Sequence, residues 1–402
     1  MYGISTEIIL ILMGALIVLS YLFSILSRVS KIPSVLLLLV TGIFLRALAD
    51  YFKFPFILPG TVVELFGAIG LIMIVLEAGL DLQLAKNKLK LIRQAFLSAL
   101  IIFIVSALVI SAILHYWLQE PLIHCIIYSI PLSIMSSSIV LPSLHHLNET
   151  KKDFLVYEAS FSDIIGILIF NYFIGKEILS MLAIGKFFLA IVISVILSIV
   201  LSLVLFLILV KSKLNVKIFL VFALLIMLYE GGKLLSLPSL LIILVFGLMM
   251  RNWNLVRIPY LRKFFSKDEI DSTTNLLHSV TAESSFLIRT FFFVLFGFTI
   301  DLHVIADNNV LMLGSAIVVI LLITRFLYLR FFLKESVYPE VVFIPRGLVT
   351  ILLFYKIPAE YKLASFNDGI LFFVILVTSL IMMIGMLFYK PANDESPGIT
   401  DI

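Results

Sequence analysis

Two carboxylates five residues apart, Glu158 and Asp163, stand inside the apolar run YEASFSDIIGILIFN, and no basic residue shares that run with them. Lys152 and Lys176 bound the stretch. If those lysines mark the two surfaces of a membrane, Asp163 lies about 16 Å deep, near the middle of a hydrocarbon core roughly 30 Å thick. A charge at that depth costs at least about 2.5–3.5 kcal/mol, so a carboxylate kept there marks a functional site. On a helical wheel, Glu158, Ser162, Ala159, Gly166 and Asp163 share an arc of about 140°, while Phe161, Ile164 and Leu168 occupy another side. One face is polar or small and the other is built for packing. Two acids without a cation on their own helix leave room for a mobile cation, and oxygen is the ligand that hard cations prefer.

More oxygens lie in PLSIMSSSIVLPSL, where Ser136, Ser137 and Ser138 sit between Pro131 and Pro142 and predict a weak, interrupted helix. Serines in membrane helices also serve plain packing, and Ser138 fits either use. A second interruption, at Pro345, Arg346 and Gly347, falls in VFIPRGLVTILL. Arg289, Arg325 and Arg346 have no loop to occupy, and buried charges need partners. Glu283 is the acid expected to pair with Arg325 and brace two helices, and Arg346 is expected to offset the partial negative charge of the broken helices. Other polar residues have simpler readings. Asn367 and Asp368 follow Ser365 at the edge of a span, as helix caps do. His145 and His146 lack a third ligand at useful spacing. Glu77 and Asp81, in VLEAGLDLQL, are expected to end a span at the interface in contact with solvent.

The elements that must position these residues are legible from hydropathy. Hydrophobic residues make up 62% of the 402-residue chain, charged ones only 13%, and the mean hydropathy is +1.19. This composition excludes a soluble globular domain and identifies an all-α polytopic membrane protein. The lone Cys125 excludes an intrachain disulfide and the common zinc spacings. Apolar runs predict about thirteen spans, near 6–27, 33–50, 60–80, 91–117, 121–146, 152–175, 184–210, 215–233, 237–251, 274–300, 308–332, 338–357 and 366–389. Most loop Lys and Arg fall on one side of this alternation, which places the N-terminus outside and the C-terminus in the cytoplasm of a cell (inner) membrane protein. The N-terminus has no basic n-region and reads as a retained first span. Asn252 to Asn275 reads either as a solvated linker or as an amphipathic surface helix, and 391–402 reads as a short tail. The interrupted spans, fifth and twelfth, cross in opposite directions, so spans 4–6 and 11–13 are expected to be inverted repeats with a site at the midplane.

With these residues in place the chain resembles the monovalent cation/proton antiporter superfamily, sodium/proton exchanger type. The carriers of the resemblance are Glu158, Ser162 and Asp163, together with LEAGLDL, PSLLIILVFGLMMRN, ESSFLIRTFFFVLFG with Glu283, TRFLYL with Arg325, and PRGLV with Arg346. Ser162 stands where many members have asparagine, and MSSSIVLP departs from the threonine-aspartate-proline type, so ion preference does not carry over. The resemblance implies a homodimer. It also implies a dimerisation domain in two parts (1–90 and 214–304), a core transport domain in two parts (91–180 and 305–390), and a linker helix at 181–213.

The expected function is antiport of a monovalent cation, sodium first and potassium or lithium as alternatives, against protons. Asp163 is the exchange carboxylate, helped in cation binding by Glu158, Ser162, Ser136 and Ser137. It holds either the cation or a proton, and no cofactor is expected. A lone exchange carboxylate suggests one proton per cation, hence electroneutral exchange. Two other classes share parts of the pattern. A sodium-coupled symporter of an organic anion needs a larger cavity, and a membrane-embedded enzyme needs its acids near the headgroups rather than at mid-depth.

Overall fold

The computed structural model describes residues 6–30, 32–52, 60–84, 86–175, 181–211, 217–235, 237–253, 267–299, 307–333 and 337–389. Lys176, most of the linker after Asn252, and the 391–402 tail lie outside the described residues, as do the side chains of His145 and His146. The described residues contain helices and no strand. Before the first interruption these are α1 (Thr6–Ser30), α2 (Ser34–Tyr51), α3 (Gly60–Asp81), α4 (Leu89–Leu118) and α5 (Leu122–Ser133). Then come α6 (Ser137–Val140), α7 (Glu149–Phe173), α8 (Met181–Lys211), α9 (Lys217–Leu234) and α10 (Ser239–Arg251). The chain closes with α11 (Lys267–Thr299), α12 (Asn308–Tyr328), α13 (Leu348–Tyr355) and α14 (Asp368–Phe388).

Helical segments fall on each interval expected to span, and among the described residues seven are long and apolar enough to cross a membrane. Large apolar side chains point outward, among them Leu10, Ile11, Val18, Tyr21 and Leu22 on α1. An outer surface of that kind is at rest in hydrocarbon and not in water. Part of the interval after Asn252 is helical, because α11 begins at Lys267 and carries its polar first turns into a spanning segment.

The helices pack in two groups. In one, α2 lies along α11, and α3 lies along α10 and α11, with α8 and α9 against α10. In the other, α4 packs on α5, α7 and α12, and α12 packs on α14. Close approach in the first group depends on glycine pairs. Gly79 and Gly247 face each other, and a Cβ on Gly79 would come within 2.7 Å of the Leu244 carbonyl oxygen. Small residues that let backbones touch are the usual device of helix pairs in lipid, where the surroundings are as apolar as leucine.

Both interruptions lie in the second group. After α5 the chain is extended at Ile134 and Ser136 before α6 resumes. Residues 343–347 are likewise non-helical between the short turn Glu340–Val342 and α13. The two breaks cross, for the Ser136 amide donates to the Pro345 carbonyl at 3.0 Å. Gly347 permits the crossing, since a Cβ there would lie 2.9 Å from the Cβ of Ser136.

Candidate functional site

Asp163 projects from the middle of α7 to the first break and is 4% exposed. Its Oδ2 accepts hydrogen bonds from the Ser137 hydroxyl at 2.5 Å and the Ser137 amide at 3.2 Å. Its Oδ1 is buried and has no partner among the described residues. Beside it lies a cavity of about 20 Å³, lined by Ile74, Val75, Ala78, Leu241, Leu244 and Val349 among others. That is room for one water-sized occupant. One oxygen of Asp163 is thus satisfied by the break, and the residue lines a small space whose other named walls are apolar. Ser162, one residue earlier, accepts the Met135 amide at 2.9 Å and fastens α7 to the extended segment between α5 and α6.

Glu158, a turn and a half away on the same helix, has a different environment. Both its oxygens are held by Arg325 of α12, Oε2 at 2.7 Å and Oε1 at 3.0 Å, and Ser98 of α4 donates to Oε1 at 2.5 Å. The expected partner of Arg325, Glu283, is not its partner. Glu283 lies on the exposed stripe of α11 with Leu276 and Leu287, spacings of seven and four that put all three on one helix side. The pairing engages Glu158 with a bidentate guanidinium and a hydroxyl, three hydrogen bonds that take three of the roughly four acceptor sites of a carboxylate.

Arg346, 2% exposed, sits at the crossing. Its guanidinium donates to the carbonyls of Leu132 at 2.7 Å, Ser133 at 3.3 Å and Ile344 at 2.8 Å. Two of those carbonyls end α5, where the interruption leaves acceptors without intrahelical partners and the helix dipole is negative. The cation satisfies both demands at once. Its own amide donates to Thr378 of α14. Ser136 takes part in the crossing rather than in the Asp163 environment, because its hydroxyl hydrogen-bonds that of Ser138 at 2.8 Å.

Three contributors are absent from the sequence reading: Ser98, Glu340 and Thr378. The carbonyl of Glu340 accepts the Nε of Arg325 at 2.6 Å, and its carboxylate pairs with Lys151 at 2.9 Å. Ser98 could have been found as an isolated polar residue on the same α4 face as Ala95, Ala99 and Ile102, which are buried with it. Glu77 and Asp81 also differ from expectation. Glu77 is mostly buried and lies 3.3 Å from Arg289, while the half-buried Asp81 meets His278 at 2.7 Å, so α11 supplies a partner to each acid. Asn367 caps α14 by accepting the Gly369 amide.

A lone buried carboxylate beside two crossing helix breaks, with a second acid neutralised by arginine, can be compared with known proteins. The family model described as "Sodium/hydrogen exchanger, transmembrane" matches residues 14–389. The chain belongs to that family. The family is one of cation/proton antiporters, multi-pass in the membrane. Among solved structures, that of the sodium proton antiporter MjNhaP1 from Methanocaldococcus jannaschii at pH 8 is similar to this exchanger chain with a TM-score of 0.69 at 18% identity, covering 96% of this chain and 99% of that one. An electron-microscopy structure of the same antiporter gives a TM-score of 0.63 at 19% identity, covering 97% and 100%. At such identities the likeness is one of fold. No curated protein matches the chain.

Proposed function

We propose that the protein exchanges a monovalent cation, sodium, for a proton, one for one, with Asp163 as the carboxylate for which the two compete. The observation that carries this reading is the free Oδ1 of Asp163 beside a cavity of about 20 Å³. A cavity of that size suits a dehydrated ion and is far below the several hundred Å³ of an organic-ligand pocket. Ser137 holds the other oxygen, so the carboxylate presents one fixed ligand atom. Sodium, like other hard cations, takes oxygen ligands, so oxygens of the extended segment between α5 and α6 must turn toward Oδ1 when the cation binds. Protonated or cation-loaded, the site is neutral; bare, it is an anion against apolar walls. The bare form is therefore the one that cannot cross, which couples the two fluxes.

The group containing α4–α7 and α12–α14 is the transport core in this reading, and it moves against a scaffold of α1–α3 and α9–α11. The scaffold belongs to a homodimer. Glu283 supports this, because a carboxylate on the outward stripe of a spanning helix is costly against lipid and is better placed against a second protein surface. Proteoliposomes carrying an internal pH dye test the function. Pulses of sodium should drive proton movement that Asp163→Asn eliminates, with lithium and potassium pulses ranking the cations. Absence of sodium-driven flux from the unaltered protein would overturn the assignment.

A further inference from the structure

The segment that joins α3 to α4 is gripped from both sides. Residues 82–84 are non-helical, so their backbone groups need partners outside their own segment. Asn252, at the end of α10, takes one side. Its amide nitrogen donates to the Leu82 carbonyl at 2.7 Å and its amide oxygen accepts the Leu84 amide at 2.6 Å. Asn252 is 8% exposed, and the same nitrogen also donates to Leu248, which fixes it to its own helix. The strap is therefore part of the scaffold. The other side is taken by the site helix, for the Tyr157 hydroxyl donates to the Gln83 carbonyl at 2.5 Å. A few residues on, Lys88 pairs with Asp153 at 2.5 Å, one turn before Tyr157 on α7. That hydrogen bond holds the Lys88 ammonium protonated above the ordinary lysine range. The chain thus passes from a scaffold-bound end to a core-bound end within a few residues, and Tyr157 bridges the two.

We propose that Tyr157 is a positioning residue whose hydrogen bond to Gln83 is a latch between the helix bearing Asp163 and the scaffold, closed in one access state and open in the other. The proposal rests on the antiport reading above. Lys88 and Asp153 move together with the core, so that pair survives the motion. The Tyr157–Gln83 bond joins a core helix to a strap fixed by Asn252, so displacement of α7 along the scaffold must break it. Tyr157 is buried and its ring stacks on Phe161, hence Tyr157→Phe removes the hydroxyl and keeps the packing.

A hydrogen bond present in only one of two states biases their populations by about two- to tenfold. Apparent affinity scales with the fraction of protein open to a given face. In proteoliposomes of defined orientation, Tyr157→Phe should change the ratio of the apparent sodium affinities at the two faces by that factor. Asn252→Ala, which frees the strap from the scaffold, should change the ratio in the same direction. The double variant should do no more than the larger single one, because both remove the same latch. An unchanged ratio, with equal effects at both faces, would overturn the latch while leaving the exchange function standing, as would full additivity of the two substitutions. No exchange by the unaltered protein would overturn both.

Discussion

Arg325 grips both oxygens of Glu158, at 2.7 and 3.0 Å, with the two side chains 2% and 1% exposed. The pair joins α12 to α7 next to the helix breaks, and it leaves Asp163 as the buried acid of α7 with an oxygen unengaged among the described residues. A buried pair of this kind is costly to break and not especially costly to replace. Arg325→Ala or Glu158→Ala should each destabilise by about 3–5 kcal/mol, because the remaining charge is stranded, whereas replacing both by apolar residues of similar volume should cost less than either. Thermal unfolding of the purified variants in detergent checks this; losses that add in the double variant would contradict the pairing.

Asp163→Asn should eliminate exchange and leave the fold in place. The amide keeps the shape of the side chain and can still accept from Ser137 through its oxygen, but it can neither lose a proton nor neutralise a cation. Loss of sodium-driven proton flux, together with a melting profile close to that of the unaltered protein, is the expected outcome.

Exchange should be electroneutral. Glu158 is committed to Arg325 and Ser98, so one carboxylate changes partner in each cycle and one positive charge moves in each direction. A potential imposed with valinomycin should therefore leave the rate of sodium/proton exchange unchanged. A rate or reversal point that shifts with the potential would mean that the Glu158–Arg325 pair also releases a proton, as coupled groups can.

The glycine contact between α3 and α10 should be intolerant of a methyl group. In Gly79→Ala the new Cβ would lie 2.7 Å from the Leu244 carbonyl oxygen and 3.1 Å from the Gly247 Cα, both backbone atoms that cannot swing aside. The expected loss is about 1–3 kcal/mol, as for other overpacked sites. Gly231→Ala in α9 has nothing within 4 Å of its Cβ and should be neutral or slightly stabilising. Equal melting temperatures for the two variants would refute the close approach.

The architecture was legible in the sequence because it follows from transfer of single residues between water and hydrocarbon. Each apolar interval became helical, since in lipid a helix satisfies its own backbone. Both breaks appear where Pro131 and Ser136–Ser138, or Pro345 and Gly347, weaken the helix locally. These are properties of one stretch of chain at a time. The partners of the charges are not. Glu283 and Glu158 both lie within apolar surroundings, and nothing in their local sequence says which faces Arg325. That choice was made by helix rotation and neighbourhood, with Glu283 turned outward on α11 and Glu158 turned inward between α4 and α12. The same holds for Glu77 with Arg289, and for Ser136, which the crossing of the two breaks assigns to Ser138 and Pro345. Burial and depth are set by the chain's own hydropathy, whereas the identity of a buried partner is set by which helices the tertiary packing brings within about 3 Å of each other.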